Sequence, residues 1–333
     1  MYTDEDLNLA VEKGIFSSQS VEDFRNLLSV SKNTPLVDEE NFKLIGGFND
    51  IFVVIACSLL LFSSLWVFSE INSSLGFIIF TTLSWFLSEV FVRKRKMALP
   101  AIVLLLSFVG GTSALVVSFF PEFSEFVVVF AAALSAVAAY FHWRRFKVPI
   151  TIAAGASAIA ATLIGLVASI FPEIEHLWLS ATFICGLGVF ALAMYWDASD
   201  IDRTTRKSDV AFWLHLLSAP LVIHPVFSTL GILGGDESLL NMLVVLLLYL
   251  LMTTISIVVD RRAFMVSSLV YVIYALSSLI QNYGGVGYSF ALTGVFMGAA
   301  LLLLSAWWHP VRARLVSPFP DLIKKYVPKV KTV

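Results

Sequence analysis

The stretch AFWLHLLSAPLVIHP, Ala211 to Pro225, sets His215 and His224 together with Pro220 and Pro225 in a run apolar enough to lie in a bilayer. Imidazole is the side chain that exchanges protons near neutral pH. Ionisable groups inside a membrane span mark proton and solute pathways. At 1.5 Å per residue, His215 lies about 8 Å and His224 about 21 Å inside the span. Successive residues turn by about 100°, which leaves the two rings half a turn apart, so they do not share a metal ion. Each proline deprives a carbonyl one turn back, on Leu216 and on Leu221, of its hydrogen-bond partner. His224 is close enough in sequence to bond one of them. The functional alternative is a broken, polar span that lines a cavity, as discontinuous helices do in transporters.

The loop before this span is the interhelical segment dense in both signs of charge, with Asp197, Asp200, Asp202, Arg203, Arg206, Lys207 and Asp209. An Asp-x-Asp pair at a membrane surface can hold a divalent cation and a phosphate, but such a site needs several converging oxygens. The other reading is a charge-balanced turn in which Ser208 or Asp209 caps the next helix. Glu89 precedes Arg93 by one helical turn and reads as half of an interfacial ion pair. Asn49 and Asp50 either cap the first span or join a polar cluster with Asp197 and Asp260. His142 and His309, beside tryptophans, read as interface residues. No metal site and no cofactor is expected. No P-loop, His-Glu-x-x-His or Gly-x-Ser-x-Gly motif is present, and no catalytic residue is assigned.

The elements that carry these residues follow from composition. The chain has 333 residues, 58% hydrophobic and 14% charged, far from the charge content of about 25% usual in soluble domains. Ten runs are long enough to cross the hydrocarbon core as helices: Ile51–Phe68, Leu75–Val92, Pro100–Phe120, Phe123–Trp143, Pro149–Phe171, Leu177–Trp196, Val210–Leu230, Leu239–Val259, Phe264–Ile280 and Tyr288–Trp308. They are too long and too uniformly apolar for barrel strands. The expected fold is therefore an all-α polytopic membrane bundle. Cys57 and Cys185 fall within apolar runs and read as small packing residues. The acidic N-terminus lacks an apolar signal region, so no cleavable signal peptide is expected.

Sorting the connections by side puts all 22 Lys and Arg residues on one face with both termini, and none in SEINSS, FPEFSE, FPEIEH, GGDES or QNYGG. The positive-inside rule makes the basic face cytoplasmic. Basic clusters recur near Arg95, Arg145, Arg203, Arg261 and Arg312, each interval reading as one out-and-back hairpin. Small-residue stretches at Ala131–Ala139 and Ala153–Thr162, and the pair Gly294 and Gly298, allow close helix approach. They serve packing within the chain or a homodimer face.

Outside the bundle, residues 1–48 read as a cytoplasmic helical hairpin and linker, with Gly14 ending one helix and Ser20 capping the next. Residues 49–309 form the ten-span bundle. The tail, 310–333, is basic and interleaved with apolar residues. Arg312, Arg314, Lys324, Lys325, Lys329 and Lys331 are expected to meet anionic lipids at the cytoplasmic face. The bilayer is the expected partner, and no nucleic acid is.

The pattern LNLAVEKGIFSSQSVEDFRNLL, with GGFNDIF opening the spans, resembles an uncharacterised family of bacterial polytopic inner-membrane proteins with a short N-terminal helix pair. WDASDIDRTTRKSDVAFWLHLLSAPLVIHP resembles a recurring block in the same group. The resemblance implies a bacterial inner membrane and supplies no reaction. The leading functional expectation is a small-solute transporter built around span seven. The alternatives are a non-catalytic scaffold or sensor acting through the N-terminal hairpin and basic tail, and a lipid-modifying enzyme using the 197–209 loop. The orientation has a direct check: alkaline phosphatase fused after Glu173 is expected to be active and after Lys147 inactive. The reverse pattern contradicts it.

Overall fold

A computed structural model describes residues 4–32, 48–120, 122, 124–201, 203, 205–230, 239–284, 288–320 and 327–328. Among these the chain forms α-helices and no strand. It divides into two compact units, Met1–Phe42 and Lys43–Val333.

The first unit contains α1 (Asp4–Glu12) and α2 (Ser18–Lys32). Gly14 takes a φ of +70° just past α1, the left-handed closure expected of it. The cap of α2 is Ser17 rather than Ser20: Ser17 Oγ accepts from the Ser20 backbone N–H at 3.0 Å. The helix therefore starts one turn earlier than the sequence reading placed it. Leu9, Ile15, Phe16 and Phe24 stay exposed.

The second unit is the bundle: α3 (Phe48–Ser69), α4 (Ser73–Ser88) continued by a π-helical turn (Glu89–Lys94), α5 (Ala98–Ser118), α6 (Glu125–Phe146), α7 (Ile150–Ile170), α8 (Glu175–Ala198), α9 (Arg206–Thr229), α10 (Leu239–Val259), α11 (Ala263–Gly284), α12 (Ser289–Ala306) and the short α13 (Trp308–Val316). α3 to α12 are the ten helices long and apolar enough to cross a membrane, one for each run read from the sequence.

Four sequential helix pairs, α4/α5, α6/α7, α8/α9 and α10/α11, pack closely, the first three most extensively of all. Each is joined on the basic face, one span out of register with the hairpins inferred from the spacing of the basic clusters. A local reason is visible in the backbone. Each of these four turns contains one left-handed residue that is not glycine: Lys96, Lys147, Arg203 and Asp260, with φ between 53° and 62°. Such a residue lets the chain reverse within a few positions.

Ala131, Ala139, Ala153 and Ala160 are buried and α6 packs closely on α7, while Ala153 joins the core against α8 and α9, so the small-residue stretches serve packing within the chain. Gly294 and Gly298 differ. A Cβ at either would meet no atom within 4 Å, so that pair is not used between helices of this chain.

α9 is the most buried span. It packs against α8, α7 and α11 rather than against α10, the next helix in sequence. The expected break is absent: α9 runs as one α-helix through Pro220 and Pro225. A proline removes a single backbone hydrogen bond, and neighbouring helices compensate for such losses in a membrane bundle. At Gly186 of α8, a Cβ would lie 2.8 Å from the Leu221 carbonyl carbon and 2.9 Å from the Val222 nitrogen. The two helices thus cross with backbone against backbone. Gly186→Ala must push them apart and is expected to destabilise the protein by about 1–3 kcal/mol, measured by thermal unfolding in detergent. An unchanged midpoint would contradict this crossing.

Candidate functional site

Below that crossing, toward the basic face, the last turn of α8 and the first half of α9 bring ionisable groups together out of contact with solvent. Asp197 is 2% exposed, His215 0% and Arg261 2%. His215 Nε2 lies 2.8 Å from Asp197 Oδ2. A carboxylate only accepts, so Nε2 carries the proton and donates it. Arg261 Nη2 donates to Asp197 Oδ1 at 2.7 Å, and its Nε reaches Oδ2 at 3.4 Å. The same Nη2 also donates to the carbonyl and hydroxyl oxygens of Ser208, at 3.2 and 3.1 Å. The backbone carbonyl of Arg261 accepts from Ser256 Oγ. Three elements therefore meet on one carboxylate: α8, α9 and the start of α11.

The next residue back, Asp260, anchors a second group. Its Oδ2 accepts from Arg203 Nη1 at 3.2 Å, and its Oδ1 accepts from Trp308 Nε1 at 2.8 Å. Arg312 Nε lies 3.5 Å from Oδ1. Arg203 Nη2 also donates to the Val259 and Asp260 carbonyls. Burial, and after it the positive charge of Arg261, pull the Arg203 guanidinium below the ordinary arginine value, opposed by Asp260 and Asp197. It remains a cation, as arginine does in proteins. The guanidinium of Arg262 lies 5.1 Å from the Trp308 ring centroid. Asp200, also buried, accepts from the Thr205 backbone and hydroxyl at 2.9 and 2.6 Å. Thr205 in turn caps α9 by accepting from the Lys207 N–H.

Two carboxylates, Asp197 and Asp260, thus gather three guanidiniums: Arg261 on the first, Arg203 and Arg312 on the second. Asp197 already faces the Arg261 cation, so a proton arriving on His215 would set a second positive charge against the same carboxylate. His215 Nδ1, the atom that would take it, is buried and has no hydrogen-bond partner among the described residues. Phe190 packs on the ring edge-on at 5.5 Å.

Above the crossing α8 and α9 line a depression. A groove of about 430 Å3 opens there, lined by His176, Ser180, Phe183, Pro225, Val226 and Thr229 among others. The α8/α9 hairpin is thus closed by charge at the basic end, pinned at Gly186, and open at the other end.

Several sequence expectations change. His224 does not bond a carbonyl freed by a proline: its Nδ1 meets Tyr271 Oη at 2.8 Å, on an exposed face. It belongs to neither the buried network nor the set of groove-lining residues. Capping falls to Thr205, while Ser208 serves Arg261 and Asp209 lies within the first turn of α9. Asp50 is buried at the start of α3, which packs against α4 and α5 rather than joining Asp197 and Asp260. Arg312 is not a lipid contact: it is 2% exposed and donates to the Pro328 carbonyl at 2.6 Å. Arg314 is exposed. Asp202, Lys324, Lys325, Lys329 and Lys331 lie outside the described residues. Arg206 is exposed on the first turn of α9. Asp200 is committed to Thr205, Asp197 to His215 and Arg261, and no group that could hold a metal ion occurs among the described residues. Glu89 does pair with Arg93, at 3.1 Å, and more closely with Arg145, at 2.5 Å.

Trp308 and Ser256 carried no site reading in the sequence, Ser208 was read only as a cap and Arg261 only as the marker of a basic cluster. The available signal was the order Asp-Arg-Arg at a span start, where both Asp260 and Arg261 turn inward to partners on other elements. His142 is a further surprise. It is fully buried rather than interfacial, with Thr151 Oγ1 3.3 Å from its Nδ1 and Trp85, Phe108 and Phe146 around its ring.

No family model, curated protein or solved structure matches this chain. Its class rests on the ten apolar helices: it is a multi-pass integral membrane protein.

Removing one partner of a buried ion pair strands the other. Asp197→Ala is therefore expected to destabilise the bundle by about 3–5 kcal/mol, whereas Glu89→Ala, at a solvent-facing pair, changes stability little. Unfolding in detergent compares the two, and equal effects would contradict the assigned burial of Asp197.

Proposed function

We propose that the protein is a proton-linked transporter of small solutes, with the α8/α9 hairpin as its moving part and Asp197, His215 and Arg261 as its coupling site. One observation carries the reading: a carboxylate, an imidazole and a guanidinium join three elements of the bundle out of contact with solvent, where ionisable groups are expensive to keep. Their charges balance only while His215 is neutral. Protonation at Nδ1 makes His215 a cation that competes with Arg261 for Asp197, and relief comes from rearranging the closed end of the hairpin. The groove beyond Gly186 supplies a place for a solute on the opposite side of the crossing. Proton and solute are then linked through one rigid-body rocking of α8 and α9.

The test is proton flux in proteoliposomes loaded with a pH-sensitive dye, challenged with mixtures of amino acids, carboxylates and short amphiphiles. Solute-dependent proton entry is expected in the wild type and is expected to fall by about a hundredfold or more in His215→Gln, the loss typical of a general acid–base group. Flux that is unchanged in both His215→Gln and Asp197→Asn would overturn the coupling site.

A scaffold or sensor role is the second reading, favoured by the separate N-terminal unit with Leu9, Ile15, Phe16 and Phe24 exposed. Pull-down from membranes with and without residues 1–45 discriminates: loss of one specific partner favours the scaffold.

A further inference from the structure

The basic face uses its cations in two ways. At the α8/α9 and α10/α11 turns Arg203 and Arg261 are buried against carboxylates. At the α4/α5 and α6/α7 turns every lysine and arginine from Arg93 to Lys96 and from Arg144 to Lys147 stays exposed. Glu89 is the acidic residue beside these seven cations. By bonding both Arg93 and Arg145 it sets the two turns side by side. Three of the cations lie against aromatic rings: Arg95 on Phe91, Arg144 on Tyr140 and Lys147 on Trp143. Those contacts hold the charged heads at defined positions.

A second feature lies on the same hairpin. A groove of about 330 Å3 is lined by Thr81, Thr82, Trp85, Phe86 and Phe108. Thr82, Phe86, Val90 and Arg93 are exposed in succession along α4 and its π-helical turn, so an open track joins the groove to the cations. At 1.5 Å per residue Phe86 lies about 10 Å below Arg93. That is deeper than a headgroup layer of about 5–7 Å per leaflet, so the groove faces acyl chains.

From these two features together we infer that the α4/α5 and α6/α7 hairpins form a binding site for an anionic diacyl phospholipid. Its phosphate sits on the cations of the two turns and one acyl chain runs down to the groove. The surplus of positive charge demands the anion, which an uncharged lipid lacks. The aromatic groove demands the chain, which a soluble phosphate lacks. This site, rather than the inward-facing Arg312, is where the basic face selects lipid, and it does not depend on the transport reading.

Native mass spectrometry of the full chain in detergent tests it, with phosphatidylglycerol and phosphatidylcholine of identical chains and glycerol phosphate as probes. The wild type is expected to retain phosphatidylglycerol over phosphatidylcholine. The variant Arg93→Gln/Lys94→Gln/Arg144→Gln/Lys147→Gln is expected to lose at least about tenfold of that retention, since each interfacial cation contributes several-fold, with phosphatidylcholine unchanged. Thr82→Trp, which fills the groove, is expected to weaken phosphatidylglycerol without changing glycerol phosphate, and Arg314→Gln to change neither. Undiminished phosphatidylglycerol in the quadruple variant, or an equal loss of both lipids, overturns the headgroup assignment. Glycerol phosphate binding as well as the lipid, or an unaffected Thr82→Trp, overturns the groove. Should the quadruple variant fail to fold, Lys147→Gln alone is read for a several-fold loss by the same criteria.

Discussion

Arg261 cannot leave water without Asp197. A guanidinium taken into an apolar interior costs several kcal/mol, and only a well-placed carboxylate with further acceptors offsets it. Asp197 supplies one bidentate face, and Ser208 supplies two more oxygens. Much of the second half of the bundle follows from this requirement. The last turn of α8 must meet the start of α11, α9 must pass between them with Ser208 and His215 inward, and the Gly186 crossing must be close enough to hold α8 on α9. Asp260, one residue before Arg261, then faces the opposite way and collects Arg203, Trp308 and Arg312. That draws α13 into the bundle against α10.

The first half of the bundle is built differently. Its hairpins pack through small and apolar residues, with a core of Leu61, Phe80, Leu104 and Leu105 among others. Its basic-face charges remain in contact with solvent. The same run of basic turns thus yields exposed charges in the first half of the bundle and a buried electrostatic core in the second.

The spans were legible because twenty consecutive apolar residues admit few structures, and each of the ten runs became one helix. The contact between His215 and the acidic loop was also within reach, since both lie on consecutive elements joined by a short turn. Arg312 was misread because a basic tail looks the same in sequence whether a given arginine points outward or in; its ion-pair partner, Asp260, comes from a turn 52 residues away. His224 was misread because its partner, Tyr271, sits on a different helix. The break expected at Pro220 and Pro225 failed for a related reason. Local bonding loses one partner at each proline, but burial of α9 among α7, α8 and α11 decides the path of the helix.

The central claim is that Asp197 and Arg261 act as one buried unit. A double-mutant cycle with Asp197→Asn and Arg261→Gln, read by unfolding in detergent, measures this directly. A coupling near the upper end of the range for contacting residues is predicted, about 2–3 kcal/mol. Additivity to within about 0.5 kcal/mol would contradict it and leave the two residues as neighbours without a shared role.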